Sequence, residues 1–223
     1  MLDLSKIVFN ASPNFGSRCG QKITHIILHC PSGTDEGALA TLKSVNNPAG
    51  RVSAHYLIQR NGTPIQLVKL EDAAWHAMHQ PNMWSVGIEI VDRYVNNGQL
   101  TADCRFNKQW ITKPELDTLV QLVTELMQKF NIPLANVLGH NDPWLKQFGN
   151  NHVDPGPFFP WKDFRNQVTA KIKLLEIPQE LIDSGHAALL TAGIPEPHYL
   201  SVDVNQPSVK LPTWNPLAKK SKQ

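Results

Sequence analysis

The sequence predicts an α/β fold, in which short buried strands alternate with amphipathic helices. Residues 23–29 form a short, mostly apolar run, which is typical of a buried strand. Asn61-Gly62 separates two strand-like runs, residues 56–60 and 65–68, and this dipeptide is the strongest short signal for a β-hairpin. Residues 112–130 have the apolar period of an amphipathic helix, which needs a sheet or another helix to cover its apolar face.

The first half of the chain contains one further helix and one further strand. Thr34 is a favourable N-cap for a helix that extends to about residue 45. Asp35 and Glu36 suit the first turn of that helix, because a helix N-terminus carries partial positive charge. Residues 86–91 form another apolar run and are predicted to be a strand.

The clearest element in the second half is the helix that begins after Thr112. Thr112 and Glu115 have the spacing of a capping box, and Pro114 lies in the first turn. The apolar side chains that follow have the helical period: Leu116, Leu119, Val120, Val123, Leu126, Met127 and Phe130. A short strand over residues 136–138 and an amphipathic helix over residues 161–175 complete the predicted elements.

Composition and charge exclude several classes of protein. The chain has 223 residues, of which 41% are hydrophobic and 18% are charged, so it is neither a disordered tail nor a coiled coil. Its formal net charge of +2 excludes the broad cationic surface of a nucleic-acid binder, although a small basic patch remains compatible with it. No apolar run approaches the ~20 residues of a transmembrane helix, so no membrane span is expected.

A change of composition after residue 177 divides the chain. Residues 1–177 contain all of the predicted strands and are interpreted as one domain. Residues 178–223 hold six of the 17 prolines and show no repeated apolar period. This second segment is predicted to be a Pro-rich appendage rather than a second domain, with one helix over residues 180–191.

The N-terminal residues and the cysteines bear on where the protein is made. No basic segment followed by a long apolar run is found there, so synthesis in the cytoplasm without a secretory signal is expected. Cys19, Cys30 and Cys104 are an odd number and form no CxxC pair. They are interpreted as reduced thiols, with one disulfide as the alternative.

Four residues from separate parts of the chain are candidates for chemistry. His29 ends the first predicted strand, His140 follows a later one, and Asp154 lies in a loop stiffened by prolines. Each of these three, taken alone, is more often structural. Glu89 lies between two isoleucines on the opposite face of its strand, where a carboxylate is costly unless it has a partner or a function. The alternative for Glu89 is a solvated sheet face.

Together these residues predict a catalytic zinc site. Two histidines and one carboxylate are a known ligand set for catalytic Zn²⁺, which leaves a fourth position for water. A buried glutamate with a raised pKa is suited to take a proton from that water. The ligands are far apart in the sequence and match no compact zinc motif, so their spacing alone does not establish the metal.

Six motifs follow one another between roughly residues 20 and 165: ITHIILHC, RVSAHYLIQRNGTPIQLV, AAWHA, SVGIEIV, VLGHND and VDPGPFFPW. Their order resembles that of the zinc-dependent N-acetylmuramoyl-L-alanine amidases. This family includes lysozyme-like phage amidases, muropeptide-recycling amidases and peptidoglycan recognition proteins. The resemblance implies a single catalytic domain over residues 1–177, with a central mixed β-sheet flanked by α-helices and a zinc-binding groove at one end.

The resemblance also implies roles for individual residues. His29, His140 and Asp154 correspond to the zinc ligands of the family, and Glu89 corresponds to its catalytic base. The AAWHA motif resembles part of the substrate groove, which implies that Trp75 and His76 contact substrate.

His152 departs from the family pattern. Two residues before the aspartate ligand the family usually has lysine, which is thought to stabilise the oxyanion. A histidine there can donate a hydrogen bond to the oxyanion or transfer a proton to the leaving amine. Activity is therefore expected to depend on His152 and its protonation. The alternative is that Lys146 or Lys162 takes over this role.

The implied reaction is hydrolysis of the amide between the lactyl group of N-acetylmuramic acid and L-alanine, in peptidoglycan or in muropeptides. Two alternatives are a non-catalytic peptidoglycan-binding protein and an amidase whose segment 178–223 mainly binds a protein partner, such as an inhibitor or immunity protein. A phage lysin, a recycling enzyme and a secreted toxin would share this core. Such an enzyme acts on muropeptides in the cytoplasm, or reaches the wall by lysis or by signal-independent secretion.

Overall fold

A mixed β-sheet of six strands forms the centre of the computed structural model, which describes residues 2–48, 50–96, 99–101 and 103–175. The strands in chain order are β1 (Val8–Phe9), β2 (Phe15–Ser17), β3 (His25–His29), β4 (Tyr56–Ile58), β5 (Pro64–Gln66), β6 (Asp72–Ala74), β7 (Ser85–Ile90), β8 (Tyr94–Asn96), β9 (Gln99–Thr101) and β10 (Val137–Gly139). The α-helices are α1 (Asp35–Lys43), α2 (His79–Trp84), α3 (Lys113–Phe130) and α4 (Trp161–Leu175). Short 3₁₀-helices cover Leu4–Lys6, Leu134–Asn136 and Pro143–Phe148.

The strand order in the central sheet is β1-β5-β4-β7-β3-β10. The four strands β4, β7, β3 and β10 run parallel to one another, whereas β5 runs antiparallel to β4 and forms with it the hairpin predicted around Asn61-Gly62. Strands β2 and β6 pair outside this sheet, as do β8 and β9. Because parallel strands start at the same edge, the C-terminal ends of β7, β3 and β10 also meet at one edge.

Helices cover both faces of the sheet. On one face, Ile26 and Leu28 of β3 and Ile88 of β7 pack against α3 and α4 in the main hydrophobic core. On the other face, Leu57 of β4 packs against Leu42 of α1 in a second cluster. Alternation along β3 and β7 therefore places their remaining residues, including His29 and Glu89, on the α1 side of the sheet.

The strongly patterned elements are confirmed, and several of the shortest elements were not predicted. Helices α1, α3 and α4 begin and end within two residues of the predicted bounds. Strand β10 is shifted by one residue, because residues 134–136 form a 3₁₀-helix instead. Strands β1, β2 and β6 have two or three residues each, which is too short for a recognisable period. The appendage predicted over residues 178–223, with its helix over residues 180–191, lies outside the described residues.

None of the helices in the described part of the chain combines the length and the apolar character that a membrane span requires.

Replacement of Thr112 by alanine is expected to lower the free energy of unfolding by about 1 kcal/mol. Thr112 is the N-cap of α3, and its hydroxyl accepts a hydrogen bond from the Glu115 amide, while the Glu115 carboxylate accepts one from the Thr112 amide. Chemical denaturation of Thr112→Ala measures the loss. Thr169→Ala, on the exposed face of α4, is the control, and equal stability of the two variants would contradict the capping role.

Candidate active site

Three predicted residues lie in a row where parallel strands end. His29, the last residue of β3, is in register with Glu89 of β7. On the other side of β3, Gly139 of β10 is in register with Leu28, and the His140 amide donates to the Leu28 carbonyl at 3.1 Å. The fold thereby places three side chains next to one another at one edge of the sheet, although they lie 51 to 111 positions apart in the sequence: His29, Glu89 and His140.

The loop that carries Asp154 is fastened against the same edge. The Asn141 amide donates to the Asp154 carbonyl at 2.8 Å, which joins this loop to the segment that follows β10. The Asp154–Pro155 peptide bond is cis. Gly156 has a φ of 82° and lies so close to the carbonyl of Cys104 that a side chain would clash. Glycine is therefore required here for both conformational and steric reasons.

The donor atoms of His29, His140 and Asp154 converge. His29 Nδ1 lies 3.1 Å from His140 Nδ1 and 3.0 Å from Asp154 Oδ2, and His140 Nδ1 lies 3.2 Å from Asp154 Oδ1. Atoms bound at about 2.0–2.1 Å to one tetrahedral ion are separated by about 3.3 Å. The three donors thus have the mutual spacing of ligands to a single metal ion, and they form one of two groups in the described residues able to hold one.

The electrostatics keep His140 and Asp154 in the form that binds a metal. Burial, together with the neighbouring His29, lowers the pKa of His140 to about 4, so that this ring is neutral at pH 7. Burial alone would raise the pKa of Asp154, but the neighbouring imidazole rings of His140, His152 and His29 hold it well below its usual range. At neutral pH the site therefore presents an uncharged His140 ring and a carboxylate, as metal coordination requires.

Glu89 has the opposite electrostatic character. Burial raises the pKa of its carboxyl group to about 7, although the nearby His29 opposes the shift. Its Oε2 atom is fully buried without a hydrogen-bond partner in the described residues. A carboxyl group whose pKa lies near physiological pH, and whose oxygen has no partner in the described residues, can accept a proton from a reactant.

The seven residues predicted from the sequence line one cavity of about 480 Å³: His29, Trp75, His76, Glu89, His140, His152 and Asp154. A second cavity of about 600 Å³ adjoins it and shares Trp75, His76, His140 and His152. Because they share these lining residues, the two cavities form one cleft beside the donor atoms, and Trp75 lines both of them. Trp75 is half-buried, and its backbone amide donates to the Ser53 hydroxyl at 2.8 Å.

The comparison with known proteins identifies a family for this chain. Residues 20–157, more than half of the chain, match the family described as N-acetylmuramoyl-L-alanine amidase. The chain belongs to this amidase family.

Individual relatives span most of the described residues. The chain is 26% identical over 176 residues to N-acetylmuramoyl-L-alanine amidase A of Achromobacter lyticus, covering 75% of this chain and 96% of that protein. It is 30% identical over 126 residues to 1,6-anhydro-N-acetylmuramyl-L-alanine amidase AmpD of Haemophilus influenzae, covering 53% of this chain and 59% of that protein. A crystal structure of a selenomethionine derivative of AmpD superposes with a TM-score of 0.56 at 25% identity, covering 75% of this chain and 99% of the other.

His152, which the resemblance places where the family usually has lysine, lies beside the converging donor atoms. Its ring stacks on His140 with a centroid distance of 4.0 Å, and its Nδ1 lies 3.6 Å from Asp154 Oδ1. The side chain is about half exposed and faces the cleft. Lys146 and Lys162, the alternatives considered above, are not among the described residues that line either cavity of the cleft.

The expectation of reduced thiols is wrong for two of the three cysteines. Cys30, which directly follows His29, forms a disulfide with Cys104, 74 positions further along the chain, whereas Cys19 is free and exposed. The sequence contains no CxxC pair, but the fold brings these two distant cysteines together. Beside them, the carboxylate oxygens of Asp92 accept hydrogen bonds from the amides of Gly33 and Cys104, each at 3.1 Å. Cys30, Asp92 and Cys104 are the second candidate metal group, and its carboxylate is thus already hydrogen-bonded to backbone amides.

Two amidase residues near the site were missed in the sequence. Gly87 lies in β7 under the ring of His76, and a Cβ atom there would come within 2.5 Å of that ring. Ser85, the first residue of β7, is buried and hydrogen-bonded to His76. A glycine inside an apolar strand signals the close approach of another group, and this signal was available. No comparable signal distinguishes Ser85.

Proposed function

We propose that this chain is a zinc-dependent amidase that hydrolyses the bond between the lactyl group of N-acetylmuramic acid and L-alanine. The observation that carries the proposal is the convergence of three metal-donor atoms within 3.0–3.3 Å of one another beside the buried carboxyl of Glu89. Neither feature is needed for a protein that only binds peptidoglycan. The non-catalytic alternative is therefore disfavoured.

His29, His140 and Asp154 would hold the zinc ion. Two imidazole nitrogens and one carboxylate oxygen are a donor set that suits catalytic Zn²⁺. When bound, zinc supplies Lewis-acid chemistry, because it polarises an amide carbonyl and acidifies water.

The protein's own groups would move the protons. Glu89 Oε2, which lacks a partner in the described residues, accepts a proton from the attacking water. The same carboxyl, with a pKa near 7, can then return a proton to the amine of L-alanine as the peptide leaves. His152, beside Asp154 at the mouth of the cleft, donates a hydrogen bond to the oxygen that gains negative charge.

Trp75 would position the substrate. Its half-buried indole borders both cavities and offers an apolar face to the sugar or to the edge of the peptide stem. Because the H. influenzae relative is named for a 1,6-anhydro-N-acetylmuramyl substrate, soluble anhydro-muropeptides are the proposed substrate. Parallel incubation with intact sacculi and with anhydro-muropeptides, followed by mass analysis, tests this choice. Release of peptide from sacculi alone would overturn it and favour a lytic enzyme.

Replacement of His152 by alanine is expected to reduce kcat by about 10²–10³-fold, the usual cost of removing one oxyanion donor. His152→Lys, which restores the usual family residue, is expected to retain most of the activity. Steady-state kinetics on both variants, together with their zinc content, measures the effect. If His152→Ala kept wild-type turnover between pH 5 and 9, the proposed role of His152 would be wrong.

A further inference from the structure

A chain of hydrogen bonds contacts the candidate ligand His29 on the side of its ring that faces away from the other metal donors. His29 Nε2, the ring nitrogen that points away from the metal donors, lies 3.0 Å from His76 Nδ1. On the other side of the His76 ring, Nε2 lies 3.2 Å from the Ser85 hydroxyl oxygen. That hydroxyl in turn lies 2.5 Å from the carbonyl oxygen of Pro81. This chain of four groups is called the His29 relay below.

The last member of the relay sets the direction of every bond in it. A carbonyl oxygen can only accept, so the single hydroxyl proton of Ser85 is donated to Pro81. The Ser85 oxygen must then accept from His76 Nε2–H, which leaves Nδ1 of a neutral His76 as an acceptor. His29 therefore donates its Nε2 proton to His76, and its Nδ1 carries the lone pair.

Without the relay, Asp154 would favour the opposite arrangement. Its Oδ2 lies 3.0 Å from His29 Nδ1 and would gain a hydrogen bond if that nitrogen carried the proton. A protonated Nδ1 cannot bind a metal, because its lone pair is no longer available. The Pro81 carbonyl counters this tendency, since reversing the relay would forfeit the bond from Ser85.

The backbone around His76 keeps its ring in place. The Asn82 side-chain oxygen accepts hydrogen bonds from the amides of His76 and Ala77, at 2.9 and 2.7 Å. Beneath the ring, Gly87 offers no side chain, so that the imidazole lies directly on β7. Both ring nitrogens of His76 have partners within the protein, which supports a positioning role for this ring, while the predicted contact with substrate stays a prediction.

We propose that His76 and Ser85 are positioning residues that hold His29 in the tautomer able to bind zinc. The proposal rests on the proposed zinc site. Groups that orient a ligating histidine in this way commonly contribute 10–100-fold to metal affinity.

The test measures zinc affinity rather than turnover. The zinc dissociation constants of the wild-type protein and of His76→Ala, His76→Asn and Ser85→Ala are determined by competition with a chromophoric chelator. Ser12→Ala is the matched control, because Ser12 is also buried and donates to a carbonyl, that of Leu42 at 2.6 Å, outside the relay. Thermal unfolding of the zinc-free proteins shows which variants fold.

We expect His76→Ala to bind zinc about 10–100-fold more weakly than the wild type. His76→Asn should recover most of this loss, because its side-chain oxygen can accept the proton of His29 Nε2. Ser85→Ala should weaken binding less than His76→Ala, and Ser12→Ala should not change it. The absorption spectrum of the cobalt-substituted protein should change in His76→Ala and return in His76→Asn.

Two results would overturn the relay. One is wild-type zinc affinity in all three relay variants when each of them is folded: His76→Ala, His76→Asn and Ser85→Ala. The other is affinity in His76→Asn as low as that of His76→Ala. If His76→Ala does not fold, a Ser85→Ala affinity equal to that of Ser12→Ala decides against the relay. Failure of the wild-type protein to bind zinc at all would overturn the zinc site itself, and is thereby distinguished from failure of the relay.

Discussion

Glu89→Gln is expected to lower kcat by about 10²–10⁴-fold while leaving zinc binding intact. The amide has the shape of the carboxyl group but cannot accept a proton from water. Glu89 lies in β7 beside His29, with one buried oxygen that has no partner in the described residues, so the loss should be specific to proton transfer. Single-turnover kinetics on a defined muropeptide separates this loss from any change in substrate binding.

The control for Glu89→Gln is Glu36→Gln, since Glu36 is an exposed glutamate in the first turn of α1. Zinc content and thermal unfolding should be the same for both variants. Turnover by Glu89→Gln within about tenfold of the control would assign the base to another group, because general-base catalysis contributes at least 10².

Asp154→Asn is expected to remove zinc and activity together. Asp154 is the charged residue among the three proposed ligands. Its Oδ2 lies 3.0 Å from His29 Nδ1, and its Oδ1 lies 3.2 Å from His140 Nδ1. Loss of a direct ligand should weaken zinc binding by more than about 100-fold, because groups that only support a ligand already contribute 10–100-fold. Zinc per protein after dialysis and gel filtration measures the change.

Asp163→Asn, an exposed aspartate in the first turn of α4, is the matched control and should keep its zinc. Excess zinc should restore part of the activity of Asp154→Asn if the remaining histidines still bind. A dialysed Asp154→Asn protein with one zinc per chain and full turnover would contradict the assigned ligand set.

The local elements of this fold could be predicted because their signals are local. Helix α3 has a capping box at Thr112 and Glu115 and a long apolar period, and it was predicted to within a residue. Strands β1, β2 and β6 lack any such signal, since two or three residues cannot show a period. The pairing of Cys30 with Cys104 depends on the packing of the whole chain, which residue spacing does not report.

The candidate site shows the same division. His29 and His140 were selected at the ends of apolar strands, Glu89 inside one, and Asp154 in a loop stiffened by prolines. The parallel register placed the first three side by side, and the bond from the Asn141 amide placed the loop of Asp154 beside them. Ser85 could not be selected, because its importance depends on the orientation of the His29 relay. Positions such as this one are defined by hydrogen-bond direction, which no spacing rule encodes.

The most direct test of the account is the mass of the products formed from a defined anhydro-muropeptide by the zinc-loaded protein. We predict two products, a sugar with a free lactyl carboxylate and a peptide with a free L-alanine amino group, whose masses sum to that of the substrate plus one water. A chelator should abolish both products, and added zinc should restore them. An intact lactyl–alanine bond under every zinc-replete condition, for sacculi as well as for soluble fragments, would contradict the account.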